Sequence, residues 1–246
     1  MAGRNIRLTV AFDGSSYHGW QIQKSASTVQ GLIADTIFRI THERVSVTGS
    51  GRTDAGTHAR GLVANFFTES RMSTKEMVRA FNGILPRDVR ILSAREAQPD
   101  FHSRRDAVSK VYRYQIYLGP ILMPHLRREF FHFPYPVDVS KMQRMAKLFV
   151  GKRDFASFTK KTSVTTNTVR RIVRCDLKKD GHKLLLTVEG NGFLHHMVRN
   201  MAGTLLEVGR GTISQKDFRD LFVKRDRTLA GFTAPAHGLV LLKVQY

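Results

Sequence analysis

The stretch Gly49-Ser50-Gly51-Arg52-Thr53-Asp54-Ala55-Gly56-Thr57-His58-Ala59-Arg60-Gly61 constrains this chain more than any other. It carries four glycines, two arginines and one carboxylate, Asp54. Apolar residues run from Val45 to Val47 before it and from Leu62 to Phe67 after it, so it reads as a loop joining two strands. Glycine lets a backbone turn tightly or approach a neighbour closely, and function gathers on loops held by a rigid scaffold. A strand at Ile6, Leu8, Val10 and Phe12 and a helix stripe at Val29, Leu32, Ile33, Ile37 and Ile40 precede the loop. The spacing Ser27 to Gln30 reads as a capping box for that helix. After the loop, Ser73 and Glu76 make a second capping box, Met77, Val78, Phe81 and Ile84 form a stripe that Pro86 stops, and Val89 to Ala94 returns as a strand. The order strand, helix, strand, strand, helix, strand is that of a split βαβ unit.

Gln98 to Asp106 reads as an extended basic connector carrying Arg104 and Arg105, and a domain boundary is expected there, with halves 1–105 and 106–246. The second half opens on the alternating strand Lys110 to Tyr117, with Tyr112, Tyr114 and Ile116 on one face. Gly119 to Pro136, with four of the seven prolines, reads as a loop or arm. Val139, Met142, Met145, Ala146 and Phe149 form a helix ending at Gly151, a C′ glycine by position. Lys160 to Thr168 is polar, basic and aperiodic, and reads as a mobile loop. Strands at Val169 to Leu177 and Leu184 to Glu189 flank a hairpin at Asp180-Gly181. A helix containing Leu194-His195-His196-Met197-Val198-Arg199-Asn200-Met201 runs to Gly209, Ser214 and Asp217 open a shorter one, and Leu239 to Val244 closes the chain as a buried strand. The expected fold is α+β: two ferredoxin-like halves with mixed, mainly antiparallel sheets that join into one, helices packed on it and an active-site cleft between the halves.

Charge narrows the function. Lys plus Arg number 40 against 20 Asp plus Glu, a formal net charge of +20. Such a field attracts a polyanion, and nucleic acid leads. No apolar run is long enough to span a bilayer and no signal peptide is evident at Met1-Ala2-Gly3-Arg4, so the expected location is cytoplasmic, without membrane. The lone Cys175 allows no intramolecular disulfide and no cysteine-based metal cluster; it alternates with Val173 and Leu177 and is expected in the core. The loop lacks the Gly-Lys-Ser/Thr of a P-loop and there is no Gly-x-Ser-x-Gly elbow. His195 and His196, adjacent on a helix, would point about 100° apart and not chelate one metal; His58 and His102 are isolated and fit a surface or RNA-contacting role. Asp54 reads either as an Asx-turn residue or as a carboxylate kept ionised by Arg52 in a basic cleft. One of Tyr112 and Tyr114 is expected to be sheet packing; the other suits stacking on a nucleobase.

Gly51-Arg52-Thr53-Asp54-Ala55-Gly56-Thr57-His58-Ala59 resembles the signature of the tRNA pseudouridine synthases that act at positions 38, 39 and 40 of the anticodon arm. Further blocks extend the resemblance over nearly the whole chain: Phe12-Asp13-Gly14, Phe101-His102-Ser103-Arg104, Lys110-x-Tyr112-x-Tyr114, Asp154-Phe155, Asn191 to Asn200, Arg227-Thr228, and Ala234-Pro235-Ala236-x-Gly238-Leu239. Phe12 stands where Tyr is usual and Thr57 where Val is usual. The resemblance implies isomerisation of uridine to pseudouridine with no cofactor or metal. It makes Asp54 the essential carboxylate, Tyr112 the tyrosine against the base, and Arg52 the partner of Asp54 that holds the flipped base. It makes Arg199 a second basic partner and Leu239 an apolar wall. His58, Arg104 and Arg105 are candidate substrate contacts, the partner is the tRNA anticodon arm, and a homodimer is implied. A non-catalytic RNA-binding protein and the same chemistry on another RNA are the rival readings.

Overall fold

The computed structural model describes residues 3–159 and 167–246; the expected mobile loop Lys160 to Thr168 lies largely outside them. The described residues form an α+β protein of two compact units, one running to Val108 and taking back Leu241–Tyr246, the other Ser109–Val240. The division expected from the sequence falls after Arg105, three residues before the end of that first stretch at Val108.

In the first unit, β1 (Arg4–Phe12), α1 (Val29–Thr41), β2 (Thr48–Gly49), β3 (His58–Thr68), α2 (Thr74–Ile84) and β4 (Val89–Glu96) follow in the expected order. β1 is central and pairs antiparallel with β3 and β4, in register at Leu8↔Ala64 and Leu8↔Ala94. β2 pairs antiparallel with β3, which gives the order β4-β1-β3-β2 of a split βαβ unit. Ile6, Leu8 and Val10 are fully buried, as are Val29, Ile33 and Ile37 of α1 and Met77 and Phe81 of α2. The capping box at Ser73 and Glu76 is present. That of α1 is not: Thr28, not Ser27, accepts from Gly31 N–H, and the Gln30 side chain instead donates to the Val47 carbonyl and accepts from Ile22 N–H. β3 starts at His58, inside the glycine-rich stretch, four residues before the apolar run.

The connector after β4 is pinned rather than loose. Asn5 Nδ2 donates to the carbonyls of Gln98 and Phe101 at 2.9 Å. Asn65 Nδ2 donates to Asn5 Oδ1 at 3.0 Å, and its Oδ1 accepts from Ser103 N–H at 3.0 Å. Ser103 Oγ donates to the Thr48 carbonyl and Tyr246 Oη to the Ser103 carbonyl. The Arg7 guanidinium lies 4.1 Å from the Tyr246 ring centre and 5.2 Å from that of Phe101, a cation–π contact from a residue that alternates along β1 with the buried Ile6 and Leu8. Removing one partner of buried polar groups leaves the others unsatisfied. Asn65→Ala is therefore expected to lower stability by about 1–2 kcal/mol and to speed trypsin cleavage at Arg104-Arg105. An unchanged cleavage rate would contradict the pinning.

In the second unit, β5 (Ser109–Tyr117), β6 (Phe131–His132), α3 (Val139–Ala146), β7 (Gly151–Asp154), β8 (Val169–Asp180), β9 (Lys183–Gly190), α4 (Met197–Arg210) and α5 (Gln215–Lys224) build a sheet in the order β5-β9-β8-β7. β6 lies parallel to β5, so the Gly119 to Pro136 arm includes a strand, with Phe130 and Phe133 buried. The hairpin turns at Gly181, φ +56°. A bulge in β8 between Ile172 and Arg174 breaks the alternation: Cys175 and Leu177 are buried as expected, but Val173 is exposed. α4 is buried along most of its length. β10 (Leu239–Gln245) begins in this unit and ends in the first. No described helix is long and apolar enough to cross a membrane.

Candidate active-site elements

In the first unit, backbone bonds fold residues 50–57 onto the segment after β1. Trp20 N–H donates to the Thr53 carbonyl at 3.3 Å, Gly56 N–H to the Tyr17 carbonyl at 3.2 Å, and Thr57 N–H to the Asp54 carbonyl at 3.1 Å. Beneath, Gly14 opens a short 3-10 turn, Gly14–Ser16, capped by Asp13. Trp20, 1% exposed, and Tyr17 are packed under the loop, and Tyr17 Oη donates to Asp88 Oδ1 at 2.8 Å. Burial, reinforced by that carboxylate, raises the Tyr17 pKa well above its ordinary value.

On this floor Asp54 is half-buried and Arg52 exposed. Arg52 Nε donates to Gln21 Oε1 at 3.1 Å, which ties the loop to the segment after Trp20. His58 is turned inward: it is 6% exposed and its Nδ1 accepts the Gly14 N–H at 3.0 Å. Asp13 Oδ1 approaches the same ring nitrogen at 3.1 Å. The ring is thus buried and not on the surface, and it anchors the turn. Arg104 and Arg105 are exposed, their backbone N–H groups held by His102 Nδ1 at 3.1 and 3.2 Å, so the turn projects both side chains outward.

In the second unit, Tyr112 on β5 pairs with Val188 of β9 and is buried. Its ring meets Phe193 edge-on, centroids 5.0 Å apart at 81°. Tyr114 is fully buried and donates to the Pro235 carbonyl at 2.7 Å; burial raises its pKa far above the ordinary range, which marks it as the packing tyrosine. Arg199, in the first turn of α4, donates through Nε to the Ala234 carbonyl at 2.8 Å, and Ala234 N–H donates back to the Arg199 carbonyl. Leu239 is buried. His195 and His196 precede α4 instead of lying on it: His196 takes φ +58° and the two rings stand 3.7 Å apart at 31°, so the expected 100° separation does not apply. Position alone does not reveal this, because the apolar stripe of α4 runs back through Leu194.

Some of the neighbouring basic pairs along the chain are matched by acids. Lys224 faces Asp220 at 3.7 Å and Arg225 faces Asp154 at 3.1 Å. Lys178 and Lys179 are exposed, as are Arg127 and Arg128. Arg227 stands in the block Arg227-Thr228 with no expected role, yet its guanidinium makes four bonds within the second unit.

A family model described as tRNA pseudouridine synthase matches residues 8–105 and 145–246. Similar proteins, each named tRNA pseudouridine synthase A, come from Caldicellulosiruptor saccharolyticus (43% identical over 243 residues) and Pelobacter propionicus (44% over 244), each match covering 99% of this chain and 100% of the relative. One from a Thermoanaerobacter species is 38% identical with the same coverage.

Proposed function

This chain belongs to the tRNA pseudouridine synthase family, and we propose that it converts uridine to pseudouridine at positions 38, 39 and 40 of the tRNA anticodon arm. It is an isomerase of uridine in tRNA; the positions and the residue roles are the proposal. The observation that carries it is a match to family and relatives running through both units and through the loop that holds Asp54.

The reaction breaks N1–C1′, turns the uracil and forms C5–C1′; C5 loses a proton and N1 gains one. Asp54 supplies the carboxylate. Attack on C1′, attack on uracil C6 and a glycal route all need one at this place. Chemistry on a stacked base first requires its extrusion, at about a few kcal/mol, and phosphate contacts from exposed arginines such as Arg104 and Arg105 offset that cost in a salt-sensitive way. Arg52, exposed beside Asp54, braces the flipped base. Tyr112 lies against the uracil, Arg199 adds positive charge and Leu239 an apolar wall. A homodimer acting on one tRNA, in the cytoplasm, completes the proposal.

Mapping carbodiimide-modified pseudouridines across total RNA, with and without the protein, tests it. New sites confined to tRNA positions 38–40 are expected. Binding with no new site would favour a non-catalytic RNA-binding protein, and sites in another RNA would move the substrate. Tyr112→Phe keeps the ring and its edge contact with Phe193. With the Tyr112 hydroxyl taking the proton that C5 loses, the variant is expected to leave tRNA affinity intact while slowing turnover by about a hundredfold to ten-thousandfold, the range of a lost general base. Unchanged turnover would remove the hydroxyl from the chemistry.

A further inference from the structure

We propose that Arg227 is a positioning residue for this reaction, clamping the segment Ala230–Pro235 onto α4 and so setting the Arg199 guanidinium; this rests on the activity proposed above. Arg227 Nη1 donates to the carbonyls of Ala230 at 3.3 Å and Gly231 at 2.8 Å. Its Nη2 donates to Asn200 Oδ1 and Thr233 Oγ1, both at 3.0 Å. Thr233 Oγ1 also donates to Asn200 Oδ1 at 2.7 Å. Asn200 is itself immobilised: 1% exposed, it donates through Nδ2 to the Phe158 carbonyl at 2.7 Å.

The segment lies directly on the helix. A Cβ on Gly203 would come 1.9 Å from the Phe232 carbonyl oxygen, and Gly231 N–H donates to Thr204 Oγ1 at 3.1 Å. One residue past Thr233, Ala234 exchanges two hydrogen bonds with Arg199, taking its Nε–H and giving its own N–H. Next, Pro235 accepts from Tyr114. Arg199 is thus held from two sides, by the segment that Arg227 fastens and by the neighbouring Asn200 that Arg227 also bonds.

The planar fork of a guanidinium reaches four acceptors at once; an ammonium in its place has three donors on a point charge and cannot span them. Arg227→Lys therefore keeps the charge and loses the clamp. A cavity of about 380 Å³ opens beside it, lined by His196, Asn200, Arg227 and Thr233 among others, and the competing reading is that Arg227 grips an RNA phosphate there.

The experiment is a double-mutant cycle with Arg199→Ala, read by tritium release from tRNA labelled at uridine C5, together with tRNA binding across a salt series. Arg227→Lys is expected to lower kcat about tenfold to a hundredfold, as small misplacements do, with tRNA affinity unchanged. In the Arg199→Ala background the same change is expected to have no further effect. Losses that multiply in the double variant overturn the clamp, as does wild-type kcat in Arg227→Lys. An Arg227→Gln chain whose salt slope falls by about one assigns a phosphate contact instead, and also overturns it. If Arg227→Lys does not fold, Thr233→Ala removes one of the four Arg227 bonds together with the Thr233–Asn200 bond beside it, and the cycle is run with it, with the same outcomes. A wild-type chain that releases no tritium defeats the activity itself, whereas an active wild type with multiplying losses defeats only the clamp.

Discussion

Asp54→Asn is expected to abolish pseudouridine formation while tRNA binding survives. Asparagine has nearly the same shape and retains the backbone bonds that help fold the loop, between the carbonyls of Thr53, Asp54 and Tyr17 and the N–H groups of Trp20, Thr57 and Gly56. Arg52 stays anchored through Gln21. What disappears is the negative charge and its nucleophilicity. Loss of a group on which a covalent or charge-stabilised step depends lowers turnover by about a thousandfold or more. Affinity rests on phosphate contacts spread over many cations, so a filter-binding Kd within about threefold of wild type is expected. Tritium release at the wild-type rate would remove Asp54 from the chemistry. Equal loss of binding and turnover would instead mean that the carboxylate holds the loop together.

The parts of this molecule legible in the sequence are those whose cause is local. The capping box at Ser73 needs only residues three apart, and the hairpin at Gly181 only a turn and two alternating strands; both stand as read. The first helix shows the limit, since Gln30 finds a better partner in Val47, 17 residues on, than in its own N-cap. The bulge in β8 that throws Val173 outward is set by pairing with β9 and leaves no mark in the alternation. Asn5, Asn65 and Ser103 are distant in sequence and ordinary in type, so their network is invisible until the strands are paired. The candidate site follows the same division. Asp54 stands out because one acid sits among cations in a glycine-rich loop. His58 is less legible, because a histidine that accepts a backbone N–H looks the same in sequence as one that awaits a ligand. Two of the loop's glycines are used inward: Cβ atoms on Gly49 and Gly61 would run into Trp20 and the Leu242 carbonyl, so close packing demands them.

Gly14→Ala tests how tightly the floor of the loop is built. A Cβ at Gly14 would lie 2.0 Å from the Thr57 carbonyl oxygen and 2.6 Å from its carbon. Both are backbone atoms, so no rotamer change relieves the overlap. Either the 3-10 turn lifts or the loop shifts. Lifting the turn strains the bond from Gly14 N–H to His58 and that from Asp13 N–H to the Asp88 carbonyl. Shifting Thr57 drags Asp54, whose carbonyl takes the Thr57 N–H. Overpacking against a rigid neighbour costs about 1–3 kcal/mol and sometimes more; with backbone on both sides, about 3 kcal/mol or more is expected. The control is the same substitution at Gly83 in α2, where a Cβ would meet nothing within 4 Å. There, alanine's better helix propensity predicts a gain of about 0.5–1 kcal/mol with turnover unchanged. Thermal unfolding and tritium release on the two variants should therefore move in opposite senses. Because the displaced atoms belong to the Asp54 loop, Gly14→Ala should lose at least about tenfold in turnover even well below its own Tm, as misplaced catalytic groups do. A Gly14→Ala chain that melts and turns over like wild type would mean that the turn and the loop are not in the contact described, and that the position of Asp54 is set from elsewhere.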